Sequence, residues 1–95
     1  MPVYLVTQLR RDATPINNAV VTHIPEADRH HLQEDRGWLI KFAGTTVELS
    51  NLLTITGQPK GEKSPIGSAL VVPIGGYFGR GPTEMWEWLK TRMES

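Results

Sequence analysis

The chain contains no cysteine, which excludes disulfide bonds, thiolate nucleophiles and thiolate metal ligands together. It also lacks long apolar runs, and none approaches the ~20 residues that a membrane-spanning helix needs. Its N-terminus has no basic segment followed by an apolar signal core, so we expect a cytoplasmic protein with no membrane partner. Neither sign of charge is in excess, because ten basic residues balance ten acidic ones. Nucleic-acid-binding domains usually carry a net basic surface, so binding of that kind requires a local basic patch here.

The composition that remains is typical of a folded domain. Hydrophobic residues make up 39% of the 95 residues and charged residues 21%. That balance is ordinary for globular proteins and unlike that of disordered chains. The length indicates one domain, residues 1–95, which is large enough to bury a single core.

Four segments have the composition of strands. Residues 3–9 are apolar on both faces, and residues 38–42 form a second apolar segment. Residues 29–33 are short and polar, which favours an edge strand. Residues 69–74 are apolar but contain Pro73, whose missing N–H also favours an edge position.

Three segments indicate helices. Thr14 and Pro15 are typical of an N-cap and a first helical turn, and Pro25 ends that helix. Thr45 and Glu48 have the spacing of a capping box, which predicts a helix over residues 46–53. The apolar residues of that segment also suit a strand, so both alternatives stay open. A third helix begins after Gly81, and its wide apolar face requires burial.

The order of these elements predicts the fold class. A β-α-β-β-α-β succession indicates an α+β, ferredoxin-like domain with a four-stranded antiparallel sheet, followed here by an extra C-terminal helix. The usual strand order, 4-1-3-2, puts the two most apolar strands in the centre of the sheet. It puts the polar strand and the proline-containing strand at the edges, in agreement with their composition.

The second face of this sheet raises a question of assembly. The two sequential helices cover one face only, yet strands 1 and 4 are apolar on both faces. The C-terminal helix, a second subunit, or both must therefore cover the other face. We predict a homodimer with two-fold symmetry.

Three short motifs resemble those of a known group of proteins. Residues 3–7 (VYLVT), 30–41 (HHL through WLIK) and 86–90 (WEWLK) resemble small bacterial SinR-like proteins, which are distantly similar to the ferredoxin-like CRISPR-associated endoribonucleases. The resemblance implies a ferredoxin-like fold and a dimer. For the nuclease branch it also implies a metal-binding Asp directly after strand 1. This chain has Gln8 there, and its nearest carboxylate is Asp12, which departs from the nuclease pattern.

The glycine-rich corner at residues 75–81 is the first candidate site. Its backbone N–H groups precede a helix, Arg80 offers a bidentate contact to an anion, and Tyr77 offers a surface for stacking a base. The structural interpretation is that Arg80 pairs with an acid while Tyr77 and Phe78 belong to the core. We favour that structural interpretation.

The second candidate is a charged end of the sheet. In the expected topology the basic residues Arg10, Arg11, Arg36, Lys60 and Lys63 gather at one end of the sheet. The acids Asp12, Glu34, Asp35 and Glu62 gather there too. The surface is either a solvated rim, which we favour, or a nucleic-acid contact, to be tested first at Arg10 and Arg11.

Catalytic chemistry has little support in the sequence. Adjacent His30 and His31 on a strand face opposite sides of the sheet, and His23 lies on the first helix near its buried face. No zinc-type spacing of two histidines is present, and no serine has a nucleophile-elbow setting. We therefore expect no catalytic residues, no metal and no cofactor.

Three functional hypotheses remain. The first is a non-catalytic dimeric module that binds nucleic acid or another protein. The alternatives are a divergent metal-dependent nuclease or hydrolase, which would use Asp12, Glu34 and one of His30 and His31, and a structural subunit that pairs through a sheet edge.

Overall fold

A computed structural model describes residues 2–93, which form a mixed α+β domain. Within that range the strands are β1 (Val3–Gln8), β2 (Arg29–His31), β3 (Trp38–Lys41) and β4 (Ala69–Pro73). The α-helices of the same range are α1 (Thr14–His23), α2 (Thr46–Leu52) and α3 (Thr83–Met93). No helix among these residues combines the length and the apolar character that crossing a bilayer requires.

The strands form one four-stranded antiparallel sheet with the order β2-β3-β1-β4. Read from β4, this is the order 4-1-3-2 expected for the predicted succession of elements, with which the polarity of the strands agrees. The apolar strands β1 and β3 are central, and Leu5 faces Leu39 across their ladder. The polar β2 and the proline-containing β4 lie at the edges, where the sequence predicts them.

Pro73 lies where its missing N–H costs no hydrogen bond. The N–H of Ile74 donates to the carbonyl oxygen of Val3 at 2.9 Å, and that of Leu9 donates to Ser68 at 2.8 Å. Backbone groups alternate in direction along an antiparallel strand, so residues 68, 70, 72 and 74 face β1. Residues 69, 71 and 73 therefore face the free edge, and Pro73 interrupts only that free edge.

Helices α1 and α2 cover the first face of the sheet. The α2 helix begins with the predicted capping box: Thr45 Oγ1 accepts the Glu48 N–H at 3.1 Å, and Glu48 Oε1 accepts the Thr45 N–H at 3.1 Å. Residues 46–52 are thus helical, not extended. The buried residues of this first core are Tyr4, Val6, Ala13, Ile16, Val20, Ile24, Trp38, Ile40, Leu49, Leu53, Ile55 and Ile66.

Helix α3 covers only part of the second face. Its buried Trp88 and Leu89 pack against Val3 and Leu39 of the two central strands. The same face of β4 is left open, since the Leu70 side chain is 48% exposed and Val72 36% exposed. The question of what covers the second face is therefore answered for β3 and one end of β1, but not for β4.

Several predicted boundaries are wrong by one or two residues. Thr14 is the first residue of α1, whereas Ala13 occupies the N-cap position without a side-chain bond. Asp12 Oδ1, from the residue before Ala13, accepts the Thr14 N–H at 3.0 Å. Strand β2 ends at His31 rather than at residue 33, because residues 33–35 form a tight turn.

The turn between β2 and β3 depends on Gly37. Its φ of +141° is rarely adopted by residues other than glycine. A Cβ atom at residue 37 would lie 2.5 Å from the Val6 carbonyl oxygen. The turn is also bonded to β1, because Thr7 Oγ1 donates to the Arg36 carbonyl at 2.9 Å. Gly37 therefore permits a close approach of two backbones that any Cβ would obstruct.

We expect Gly37→Ala to lower the free energy of unfolding by about 1–3 kcal/mol for the backbone conformation alone, with a further cost for displacing Val6. Urea denaturation measures this change. The matched control is Gly75→Ala, since a Cβ there meets no atom within 4 Å. The control should stay within about 0.5 kcal/mol of the wild type. Equal losses in both variants would contradict the role given to Gly37.

Candidate functional site

Two adjoining clefts meet at the turn between β2 and β3. The first cleft, about 570 Å³, lies between the segment that follows β1 and this turn. Arg11 and Asp12 line one side of it, and Glu34, Asp35 and Arg36 line the other. Arg10 lines the cleft as well, so the cleft contains three of the five basic residues that the sequence predicts at this end of the sheet.

The second cleft, about 290 Å³, lies between the same turn and the start of α3. His30 and Arg80 line it together with the apolar side chain of Met85. Glu34 and Arg36 line both clefts. The two clefts therefore form a continuous surface on either side of the turn.

The turn is held in an uncommon conformation by contacts outside it. Glu34 and Asp35 both have positive φ, 58° and 54°, which is unusual for residues other than glycine. The Gln8 side-chain amide donates to the Asp35 carbonyl, and His31 Nε2 lies 3.0 Å from Asp35 Oδ1. Because these contacts come from β1 and β2, the sheet itself fixes the position of the turn.

A polar network ties the turn to α1. Asn17 Nδ2 donates to Asp35 Oδ1 at 3.2 Å, and Asn17 Oδ1 accepts the indole N–H of Trp38 at 2.9 Å. His31 stacks on the Trp38 ring, with the ring centroids 4.1 Å apart and the planes 3° from parallel. The network thus closes on itself through four side chains. Sequence analysis missed Asn17, for which the only signal is that a buried indole N–H needs a partner.

The carboxylates of the first cleft are already engaged within the chain. Asp12 accepts the Thr14 backbone N–H, and this bond lowers the pKa of its carboxyl group. Asp35 is bonded to His31 and Asn17. Glu34 Oε2 lies 3.6 Å from Arg36 Nη2, and both side chains are largely exposed. This ion pair therefore contributes little to stability.

The arginines differ in how freely they meet a ligand. Arg10 Nη1 donates to the Ile66 carbonyl at 3.3 Å, and its side chain crosses Gly67, so it ties the α2–β4 loop to β1. Within the described residues, Arg11 and Arg80 make no side-chain hydrogen bond or ion pair. Lys60 and Lys63 are exposed in the α2–β4 loop and line neither cleft.

The glycine-rich corner carries an exposed aromatic surface. Tyr77 stacks on Trp86 with the centroids 6.0 Å apart and 25° between the planes. Phe78 is 103% exposed, so its interpretation as a core residue is wrong. These three rings line a shallow cavity of about 240 Å³, which we call the aromatic corner. It adjoins the second cleft in sequence, since Arg80 follows Phe78 by two residues.

The histidines lie apart, as their positions on β2 predict. His31 stacks on Trp38 on the first face of the sheet. On the second face, the ring centroids of His30 and Trp88 are 5.9 Å apart. His23 is exposed at the end of α1 rather than near its buried face. Among residues 2–93, no three His, Asp or Glu side chains are grouped closely enough to hold a metal ion.

The environment of His30 makes the stability of the fold depend on pH. Burial beside Trp88 lowers the pKa of the imidazole from its ordinary value of 6.5; His31 and Arg92 lower it further, and Glu84 opposes them. The unfolded chain therefore takes up this proton first as the pH falls. Above about pH 6.5 the imidazole is neutral in both states, and His30 does not reduce the free energy of unfolding. Below that pH the free energy of unfolding falls, until the pH reaches the lower folded-state pKa.

We expect His30→Gln to reduce the loss of unfolding free energy between about pH 7.5 and about pH 5.5, because the variant has no imidazole to protonate. Urea denaturation at the two pH values measures the loss. The control is His23→Gln, which removes an exposed histidine far from Trp88. An unchanged pH dependence in His30→Gln would show that His30 does not couple protonation to folding.

The chain matches no protein-family model, no curated protein and no solved structure. The two clefts and the aromatic corner are therefore interpreted from their own geometry.

Proposed function

We propose that the protein is a non-catalytic module that binds single-stranded nucleic acid along the two clefts and the aromatic corner. One observation carries the proposal: Arg11, Arg36 and Arg80 come from three separate segments and line two clefts that share Arg36. A row of guanidinium groups suits a phosphate backbone, since each is always charged and presents a planar fork of donors.

The aromatic corner supports a single strand over a duplex. Unpaired bases present their ring faces, and stacking on exposed aromatic side chains is the usual way in which proteins hold them. Phe78 is fully exposed and Tyr77 partly so, next to the arginine of the second cleft. The bases of a duplex are stacked on one another and do not offer these faces.

The charge balance sets the strength of binding that we expect. With no net charge on the chain, attraction over long distances is weak, and affinity depends on the local arginines. The carboxylates of Asp12, Glu34 and Asp35 also line the first cleft and would repel a phosphate there. Binding is therefore moderate and sensitive to salt.

The alternative of a metal-dependent nuclease has weaker support. Its expected ligands, Asp12, Glu34 and one of His30 and His31, do not form a cluster suited to a metal ion within residues 2–93. The Asp12 carboxylate also accepts a hydrogen bond from the backbone N–H of Thr14 at the start of α1.

We also propose that the domain is ferredoxin-like and related to the SinR-like group, and that it acts in the cytoplasm. The strand order, the antiparallel ladders and the packing of α1 and α2 on one face support the fold assignment. The relationship to the SinR-like group depends on the three short sequence motifs alone.

We expect Arg11→Ala and Arg80→Ala each to weaken binding of a labelled single-stranded oligonucleotide. Each should also reduce the slope of log K against log salt by about 0.7, because one phosphate contact is lost. Fluorescence anisotropy at several salt concentrations measures both. The control is Lys90→Ala, an exposed cation on α3 that lines neither cleft. A slope change as large in the control would contradict the assignment of the clefts.

We expect Phe78→Ala to weaken single-strand binding by about 1–3 kcal/mol with little change in the salt slope, because a stacking surface is lost rather than a charge. The same anisotropy titration, repeated with a duplex of the same sequence, should show no such loss. No binding of either ligand by the wild type would exclude nucleic acid. Magnesium-dependent cleavage that co-elutes with the protein would favour the nuclease.

A further inference from the structure

The free edge of β4 lacks the protection that edge strands usually have. Exposed edges in soluble proteins are commonly guarded by charged side chains, prolines or bulges. Residues 64–79, which include all of β4, contain no Lys, Arg, Asp or Glu. Pro73 is the one residue of β4 that disfavours pairing at this edge, and it lies at the last position of the strand. The edge is therefore open to pairing over Ala69 to Val72.

The backbone of this edge offers a short and defined set of hydrogen bonds. Residues 69, 71 and 73 direct their backbone groups away from β1, as the bonds of Leu9 and Ile74 to the neighbouring strands establish. Pro73 has no N–H, so Ala69 and Val71 supply the donors of the edge. Over Ala69 to Val71 a partner strand must match two donors and two acceptors, and the Pro73 carbonyl is a further acceptor at the end of the edge.

Apolar side chains flank this edge on both faces of the sheet. Leu70 is 48% exposed and Val72 36% exposed on the face of α3, which does not reach them. On the other face, Val47 of α2 is 65% exposed beside a groove of about 260 Å³ along β4. Ala69 and Val71 line that groove from the strand. A strand paired with β4 would cover apolar surface on both of its own faces.

We propose that β4 pairs with β4 of a second copy of this chain, antiparallel, about a two-fold axis at Leu70. In this register Ala69 faces Val71 of the second copy, and Val71 faces Ala69. The N–H and C=O groups of Ala69 and Val71 are then bonded in each copy, and Pro73 lies outside this overlap. A continuous eight-stranded sheet results.

The neighbouring register fits less well. An axis at Val71 would place Ala69 opposite Pro73, whose ring provides no N–H for the Ala69 carbonyl. With the axis at Leu70, the two Leu70 side chains meet directly in a non-hydrogen-bonded pair, where side chains approach most closely. Val72 of each copy lies diagonal to that pair and extends the apolar contact.

The same features favour a second copy over an unrelated peptide. Any extended segment offers backbone donors and acceptors at alternate residues, so the side chains of the edge decide the partner. The edge has no charge with which to select a charged peptide, and two uncharged edges meet without repulsion. Two-fold pairing of identical surfaces is also the commonest form of small oligomer.

Disulfide trapping tests the register directly, because the chain has no other cysteine. In a non-hydrogen-bonded pair the Cα atoms lie about 4.5 Å apart, within the range that a disulfide spans. Leu70→Cys should therefore form a covalent dimer under mild oxidation. The control is Val21→Cys on α1, which is 52% exposed and far from β4. Equal trapping of both variants, or none for Leu70→Cys, would overturn the proposal.

Sedimentation of the unoxidised protein supplies the second test. The wild type should be a dimer, and Leu70→Lys should be a monomer that stays folded by circular dichroism, because Leu70 is half exposed in one copy. Val21→Lys should remain a dimer. A wild type that stays monomeric at ~100 µM, or a Leu70→Lys variant that still dimerises, would overturn the proposal. Neither test involves a nucleic-acid ligand, so this proposal and the proposed function fail independently.

Discussion

The close contact between the β2–β3 turn and β1 is the constraint on which both clefts depend. Gly37 lets the turn lie against the Val6 carbonyl, and Thr7 and Gln8 hold it there by hydrogen bonds. Glu34 and Arg36 then project between the two clefts and line both. A side chain at residue 37 would push the turn outward and change both clefts together. The position of a backbone, rather than any single charged group, therefore determines the arrangement of the arginines.

The unequal coverage of the two faces follows from the dimensions of the elements. A helix is about 10 Å wide and neighbouring strands are about 4.8 Å apart, so one helix covers roughly two strands. Two helices suffice for the first face of four strands, whereas α3 alone serves the second. Because α3 packs on Val3 and Leu39, the uncovered strand is β4 at the opposite edge. The exposed Leu70 and Val72 are thus a geometric result of having a single helix on that face.

The sequence predicts the sheet well because each strand's composition matches its position. Two apolar strands are central, a polar strand is at one edge, and Pro73 marks the other. The capping box at Thr45 also predicts α2 correctly, because it is a local interaction of four residues. These features need no knowledge of distant contacts.

The features that sequence analysis missed depend on contacts between distant segments. Two non-glycine residues with positive φ, Glu34 and Asp35, form a stable turn only because Gln8, His31 and Asn17 bond to it. Similarly, Phe78 is an apolar residue of the type found in cores, but its side chain is fully exposed beside Tyr77 and Trp86. Such positions become visible only once the strands are assembled.

The two proposed surfaces are separate on the molecule, and this has a consequence for how an assembled pair binds. No residue of β4 lines either cleft, so edge pairing leaves both clefts of each copy open. Antiparallel pairing directs the clefts of the two copies towards opposite ends of the joined sheet. In the proposed pair, a short single-stranded nucleic acid would therefore occupy one copy at a time, and the pair would offer two equivalent sites rather than one continuous channel. Because the whole chain is uncharged on balance, the two sites neither reinforce nor weaken one another through net charge, so independent binding at the two sites is the physical expectation.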